Sequence, residues 1–295
     1  MARTKTIACL ALVAVLGGCS SGARQAIHVG SKNFTEQVVL GEIIAQHLEN
    51  RLHRKVERSL NLGGTLLTHR ALSSGQIDLY PEYTGTALTA ILKQPIGKDP
   101  AGVLARIRSL YSRDLQVEWL DPLGIDNGFA MVVRGPEARR RNLETLSDAA
   151  RASSPWMLGV GYEFEQRPDG MTALDKSYGL PWKGPPMSMD LGLLYKAIEQ
   201  GQVTMIAANA TDGLLSAMDL KVLRDDRQAF PPYQVCIAVR QDALAAIPGL
   251  REALAELSGK FSNVGMRKLN HRVDAGHHPV AKVASEFLAE AGLVR

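Results

Sequence analysis

Residues with obvious chemistry to offer are few and scattered along this chain. His271, His277 and His278 form its one histidine cluster and, with Asp274, could ligate a metal. Their place near C-terminal helical segments makes a solvated helix end the simpler reading, and no metal is assigned. Gly159-Val160-Gly161-Tyr162-Glu163-Phe164 begins like a dinucleotide-binding loop but lacks the third glycine. Apart from Gly18-Cys19-Ser20-Ser21-Gly22 at the end of the apolar N-terminal run, the sequence has no Gly-x-Ser-x-Gly elbow, and it has no phosphate-binding P-loop or His-Glu-x-x-His pair, so neither a catalytic set nor a cofactor is expected. Cys236, inside Val235-Cys236-Ile237-Ala238-Val239, reads as a small buried hydrophobe in a strand. A catalytic thiol there would need a neighbouring base that nothing in the sequence supplies.

The N-terminus carries a different message. Arg3 and Lys5 form a short basic region, residues 7–16 are an apolar run of ten, and Gly17-Gly18 lead into Cys19-Ser20-Ser21-Gly22. Ten apolar residues are too few to span a bilayer. Leu16-Gly17-Gly18-Cys19 resembles a bacterial lipobox, in which the leader is removed and the cysteine becomes the lipidated first residue. The expectation is a signal peptide over residues 1–18 and a lipid anchor at Cys19, the alternative being an ordinary secretory leader. With Cys9 in the leader and Cys19 acylated, Cys236 remains alone and no intramolecular disulfide is expected.

The 295 residues are 45% hydrophobic and 22% charged, a globular composition long enough for two lobes. The formal charge of +4 falls to +2 once Arg3 and Lys5 leave with the leader, which argues against a nucleic-acid partner. Arg139-Arg140-Arg141 follow Gly135-Pro136 and read as a solvated loop or helix start, not as a phosphate-binding patch.

Strands and helices alternate from residue 27 on. A strand at 27–29 turns through Gly30-Ser31-Lys32 into a helix with Asn33 as N-cap, Glu36 at the third helical position, and Leu40, Ile43, Ile44, Leu48 and Leu52 at helical spacing. A strand at 56–62, a helix opening at Gly63-Gly64-Thr65, a strand at 77–80 and a helix starting at 83–86 complete a mostly parallel sheet with crossover helices. After a less regular stretch the pattern restarts, with strands at 129–133, 158–161 and 203–208 and helices at 190–200 and 212–218. A last strand at 233–239 precedes helices near 250–261, 264–274 and 280–291, which can pack back on the first half. Two such lobes are built to close on a ligand, because strand ends and helix N-termini face one another across the cleft.

Five separated segments are recognisable in order: 30–37 (Gly-Ser-Lys-Asn-Phe-Thr-Glu-Gln), 75–86 (Gly-Gln-Ile-Asp-Leu-Tyr-Pro-Glu-Tyr-Thr-Gly-Thr), Arg167-Pro168-Asp169-Gly170, Thr211-Asp212-Gly213 and Phe230-Pro231-Pro232-Tyr233. They resemble the substrate-binding proteins of ABC importers for osmoprotectants such as glycine betaine, choline, carnitine and proline betaine, and the resemblance spans residues 26–295. It implies an α/β, two-lobed type II periplasmic-binding-protein fold. Residues 19–125 and 232–295 would form lobe I and 126–231 lobe II. It also implies a monomeric receptor, lipid-anchored on the periplasmic or cell-surface side of a bacterial membrane, that delivers a quaternary amine to permease subunits.

A quaternary ammonium has no N–H to donate, so a protein holds it by cation–π contact and apolar packing. A betaine's carboxylate wants Lys, Arg, a hydroxyl or a helix N-terminus. The resemblance places this work on Lys32, Tyr83, Thr86, Phe129, Arg167, Asn209 and Tyr233, with Asn127 beside the crossover. Each has a purely structural alternative: surface charges for Lys32 and Arg167, and packing of a helix start for Tyr83. Pro231-Pro232 fixes the direction of Tyr233, whereas Tyr80 reads as core. Phe129 and Asn209 stand where typical choline and glycine betaine binders carry cage tyrosines. Phe129 keeps a π face; Asn209 offers an amide instead, which suggests a ligand with hydrogen-bonding groups near its cation. A receptor for another betaine such as ergothioneine, and a secreted enzyme on the same scaffold, are the competing readings.

Overall fold

The computed structural model describes residues 26–294, so Cys19 and the leader lie outside the described residues. Ten strands form two five-stranded mixed sheets. The first has the order β2 (Lys55–Ser59), β1 (Ala26–Gly30), β3 (Leu79–Tyr83), β10 (Val235–Arg240), β4 (Val117–Trp119); the second has β7 (Met187–Met189), β6 (Leu158–Gly161), β8 (Met205–Asn209), β5 (Phe129–Arg134), β9 (Leu220–Leu223). In each sheet four strands run the same way, and the one in fourth place, β10 or β5, runs antiparallel to both its neighbours and arrives directly from the other lobe. The two crossovers run side by side. Asp126 bridges to Gln234, the Asn127 N–H donates to the Tyr233 carbonyl at 3.1 Å, and the Tyr233 N–H donates to Asp126 Oδ1 at 3.0 Å.

The helix Thr35–Leu52 buries Val39, Leu40, Ile43, Ile44 and Leu48 against Leu250, Leu254, Met266, Val283 and Leu288 of the C-terminal helices. At about 1.5–3 kcal/mol for each large apolar side chain taken from water, this face holds the chain's end on the first sheet. Cys236 lies in β10, fully buried, and burial pushes its thiol up to about 12.

Several elements differ from the sequence expectation. Asn33 is not the N-cap: the helix begins after Phe34, without a side-chain cap. Glu36 faces inward, where three donors hold it, so no capping box forms. The third strand runs over Leu79–Tyr83 and includes Pro81; β1 pairs with β3 only at Leu79, so the ring nitrogen of Pro81 leaves no gap in that ladder. The helix after Tyr83 is a single turn, Thr84–Thr86, continued by a π-turn over Ala87–Ile91. The stretch read as irregular holds the helix Pro100–Leu115, where Asp99 accepts from the Gly102 N–H at 2.8 Å and Val103, Leu104, Ile107 and Tyr111 are buried, followed by β4. The segment after Asp212 is a short 3-10 turn, Gly213–Ser216. A Cβ on Gly213 would lie 2.4 Å from the His271 nitrogen, so only glycine lets this second-lobe turn seat on the helix Asn263–Asp274.

Candidate ligand-binding site

Between the sheets lies a cavity of about 260 Å³, and all eight residues singled out above line it. Lys32 follows β1. Its ammonium donates to Glu82 Oε1 at 2.6 Å and to Thr65 Oγ1 at 3.1 Å, and sits 4.9 Å from the centre of the Tyr83 ring. Glu82 is wholly buried and also accepts from the Tyr80 hydroxyl at 2.8 Å. Tyr80 is therefore core, as its strand position suggested. Tyr83 presents a ring stacked with that of Phe34 at 6.1 Å, while its hydroxyl donates to Glu36 at 2.7 Å.

Glu36 is the hub behind this wall. It also accepts from Asn127 Nδ2 at 2.9 Å and from the Thr211 hydroxyl, linking the first lobe, a crossover and the second lobe. Burial pushes its carboxyl pKa upward, opposed by the bonds from Thr211, Tyr83 and Asn127. A carboxyl raised above its ordinary 4.5 adds stability that is complete below that pH and is lost as pH rises through the folded-state value. Glu36→Gln can keep all three bonds, its amide donating to the Thr211 oxygen. It is expected to raise the melting temperature at pH 8, leave it unchanged near pH 4, and so flatten the slope between them. A parallel fall at both pH values would contradict this assignment.

On the opposite wall, Arg167 follows the short helix Tyr162–Gln166. Its Nε and Nη2 donate to Asp169 at 3.0 and 2.6 Å, and Nη2 donates to Thr86 Oγ1 at 3.0 Å. Its guanidinium carbon lies 5.0 Å from the Phe129 ring centre and 6.0 Å from that of Tyr233, whose hydroxyl donates to Asp169 at 2.7 Å. Burial disfavours the Arg167 charge, but Asp169 more than compensates and its pKa rises. Burial, with Asp169 beside it, pushes the Tyr233 hydroxyl pKa well up. Neither cation is a surface charge, and each is already paired with a fully buried carboxylate. Asn209 stands opposite Phe129 in the β5–β8 register, and its Nδ2 donates to Asp212 at 3.2 Å, so part of the amide expected to face a ligand is engaged within the protein.

Phe34, Phe164, Thr65 and Glu163 also line the cavity and were not singled out. Phe164 packs edge-on to Phe129 at 4.8 Å. It sits beside the partial glycine motif, where only the fold brings it to Phe129. Glu36 and Asp169 were inside recognised segments, but no pattern of the chain marked them as partners of the site.

Two α/β lobes joined by paired crossovers around a small, aromatic, charged cavity define a solute-binding protein. The chain belongs to the family described as the substrate-binding domain of ABC-type glycine betaine transport systems, whose model matches residues 25–290. It is 31% identical over 275 residues to the carnitine transport binding protein OpuCC of Listeria monocytogenes, covering 92% of this chain and 89% of that one. It is 32% identical over 266 residues to the ergothioneine transport permease/ergothioneine binding protein EgtU of Helicobacter pylori, covering 90% of this chain and 47% of that longer protein. Among solved structures, one described as a glycine betaine/carnitine/choline ABC transporter is 30% identical, with a TM-score of 0.76 over 90% of this chain and 99% of that one.

Proposed function

We propose that this protein is the extracytoplasmic receptor of an ABC importer, binding a small quaternary ammonium compound of the glycine betaine, choline or carnitine class and releasing it unchanged to permease subunits. The observation that carries the reading is the aromatic wall: Phe34, Tyr83, Phe129, Phe164 and Tyr233 border one cavity. Ring faces attract a methylated cation that cannot donate a hydrogen bond. At about 260 Å³ the cavity is at the small end of ligand pockets, which suits a solute of this size. In this reading Lys32, Tyr83, Thr86, Asn127, Phe129, Arg167, Asn209 and Tyr233 contact the solute, and the lobes divide near residues 126 and 231. The bonded pair of crossovers is then the hinge.

A longer betaine such as ergothioneine is the second reading. A neighbouring cavity shares Asn33, Phe34, Asp190, Leu191 and Asn209 with the first, so a longer solute has room to extend. Calorimetry with choline, glycine betaine, carnitine and ergothioneine, followed by mass spectrometry of the recovered solute, tests both. Binding of one of them, recovered unaltered, is expected; conversion would make the protein an enzyme, and no binding would overturn the reading.

The anchor belongs to the same proposal. Two or three acyl chains on Cys19 give stable membrane attachment where one chain does not. Cys19→Ala is expected to move the protein from the membrane fraction to the soluble one, or to leave it uncleaved; equal, normally processed partitioning of both forms would refute the lipid anchor.

A further inference from the structure

The two cations of the cleft are committed to buried carboxylates, and a third carboxylate occupies most of what remains for an anion. Glu163, on the second-lobe helix Tyr162–Gln166, reaches across to the first lobe. Its Oε1 accepts from the Thr65 N–H at 2.5 Å and its Oε2 from Thr65 Oγ1 at 2.8 Å. Thr65 opens the helix Thr65–Ser73, whose N-cap Gly64 brings no side chain and whose first turn carries no acid. The same Thr65 oxygen accepts from Lys32, and Arg167 Nη1 is 3.7 Å from Glu163 Oε2. A helix-terminal N–H, a hydroxyl and two nearby cations are the donors a small carboxylate seeks. Here the protein fills them with its own. Glu82 and Asp169 are sealed, each with 0% side-chain exposure, whereas Glu163 is 41% exposed and is the one of the three that can swing into water.

We propose that Glu163 is a specificity-determining residue that stands in for a ligand carboxylate: it stays on Thr65 when the solute is a cation alone and must be displaced when the solute carries its own carboxylate. This rests on the cavity being the quaternary-ammonium site. Because the contact also joins the two lobes, a carboxylate-free cation keeps an interlobe tie that a betaine has to replace with its own carboxylate. The wild type thereby favours choline relative to glycine betaine more than the same cavity would without Glu163.

The test is calorimetry of choline and glycine betaine on wild type, Glu163→Gln and Glu163→Asp. Glu163→Gln removes the competing charge, and Glu163→Asp keeps the charge but is too short to hold both Thr65 donors. Both are expected to shift the affinity ratio toward glycine betaine by about tenfold, with choline losing affinity. A tenfold ratio corresponds to about 1.4 kcal/mol. A ratio unchanged in both variants overturns the proposal, and a shift in Glu163→Gln alone overturns displacement in favour of a field effect. If neither solute binds wild type, the reading of the cavity fails instead. Small-angle scattering of the ligand-free proteins then judges the tie: Glu163→Asp, too short to hold both Thr65 donors, is expected to be more open than wild type, and an equal radius of gyration overturns it.

Discussion

Arg167→Ala is expected to lower the free energy of unfolding by about 3–5 kcal/mol, because it strips a buried carboxylate of its counter-ion. Asp169 has 0% side-chain exposure and its partner 11%, so in the intact pair the carboxylate depends on protein donors and not on solvent. The Tyr233 hydroxyl would be the remaining donor to Asp169 described at this end of the cavity. Arg167→Lys is expected to recover only part of the loss, since an ammonium cannot reproduce the two-pronged contact of Nε and Nη2. Urea unfolding of wild type, both variants and Arg167→Ala combined with Asp169→Asn checks this: the second change should cost far less in the Arg167→Ala background than alone. A guanidinium kept only to receive a ligand's carboxylate would be dispensable for stability. A denaturation midpoint indistinguishable from wild type would show that to be the case here.

Tyr233→Ala is expected to have the second large effect, and on two observables. Tyr233 is 3% exposed within the first-lobe core, and its ring lies 5.7 Å from that of Phe129. Truncating a buried aromatic costs about 3–5 kcal/mol, so the variant should unfold at clearly lower urea. Loss of one ring face should also weaken choline binding roughly three- to thirtyfold, at about 0.5–2 kcal/mol per face. Tyr233→Phe separates the two roles. It keeps the ring and removes the donor to Asp169, for about 1.5–3 kcal/mol of stability, and should bind choline nearly as wild type does. Equal binding by Tyr233→Ala and wild type would remove Tyr233 from the contacting set.

Local pattern made much of the fold legible. Leu40, Ile43, Ile44 and Leu48 display the 3.6-residue helical period, and the short, continuously apolar runs at residues 129–133 and 235–239 mark strands buried on both faces, both of which short windows of sequence display. The helix Pro100–Leu115 carries an equally local signal, with Asp99 and Pro100 at its start and Val103, Leu104, Ile107 and Tyr111 at helical spacing. Pro81 inside a strand was not legible, because what excuses its missing N–H is the single-residue pairing with β1, a tertiary fact.

The chain by itself determined which residue types meet in the cleft: five ordered segments supplied Lys32, Tyr83, Thr86, Arg167 and Tyr233, and all of them line the same cavity. Only the tertiary structure decided what those residues are bonded to. Lys32 with Glu82 is separated by 50 positions, Thr65 with Glu163 by 98 and Glu36 with Thr211 by 175. The first pair is made across a sheet and the other two across the lobes, so no spacing along the chain announces them. A buried charge has to find its partner where packing brings one, and that requirement turned Glu36 inward and converted two cations that the sequence offered to a ligand into halves of internal ion pairs.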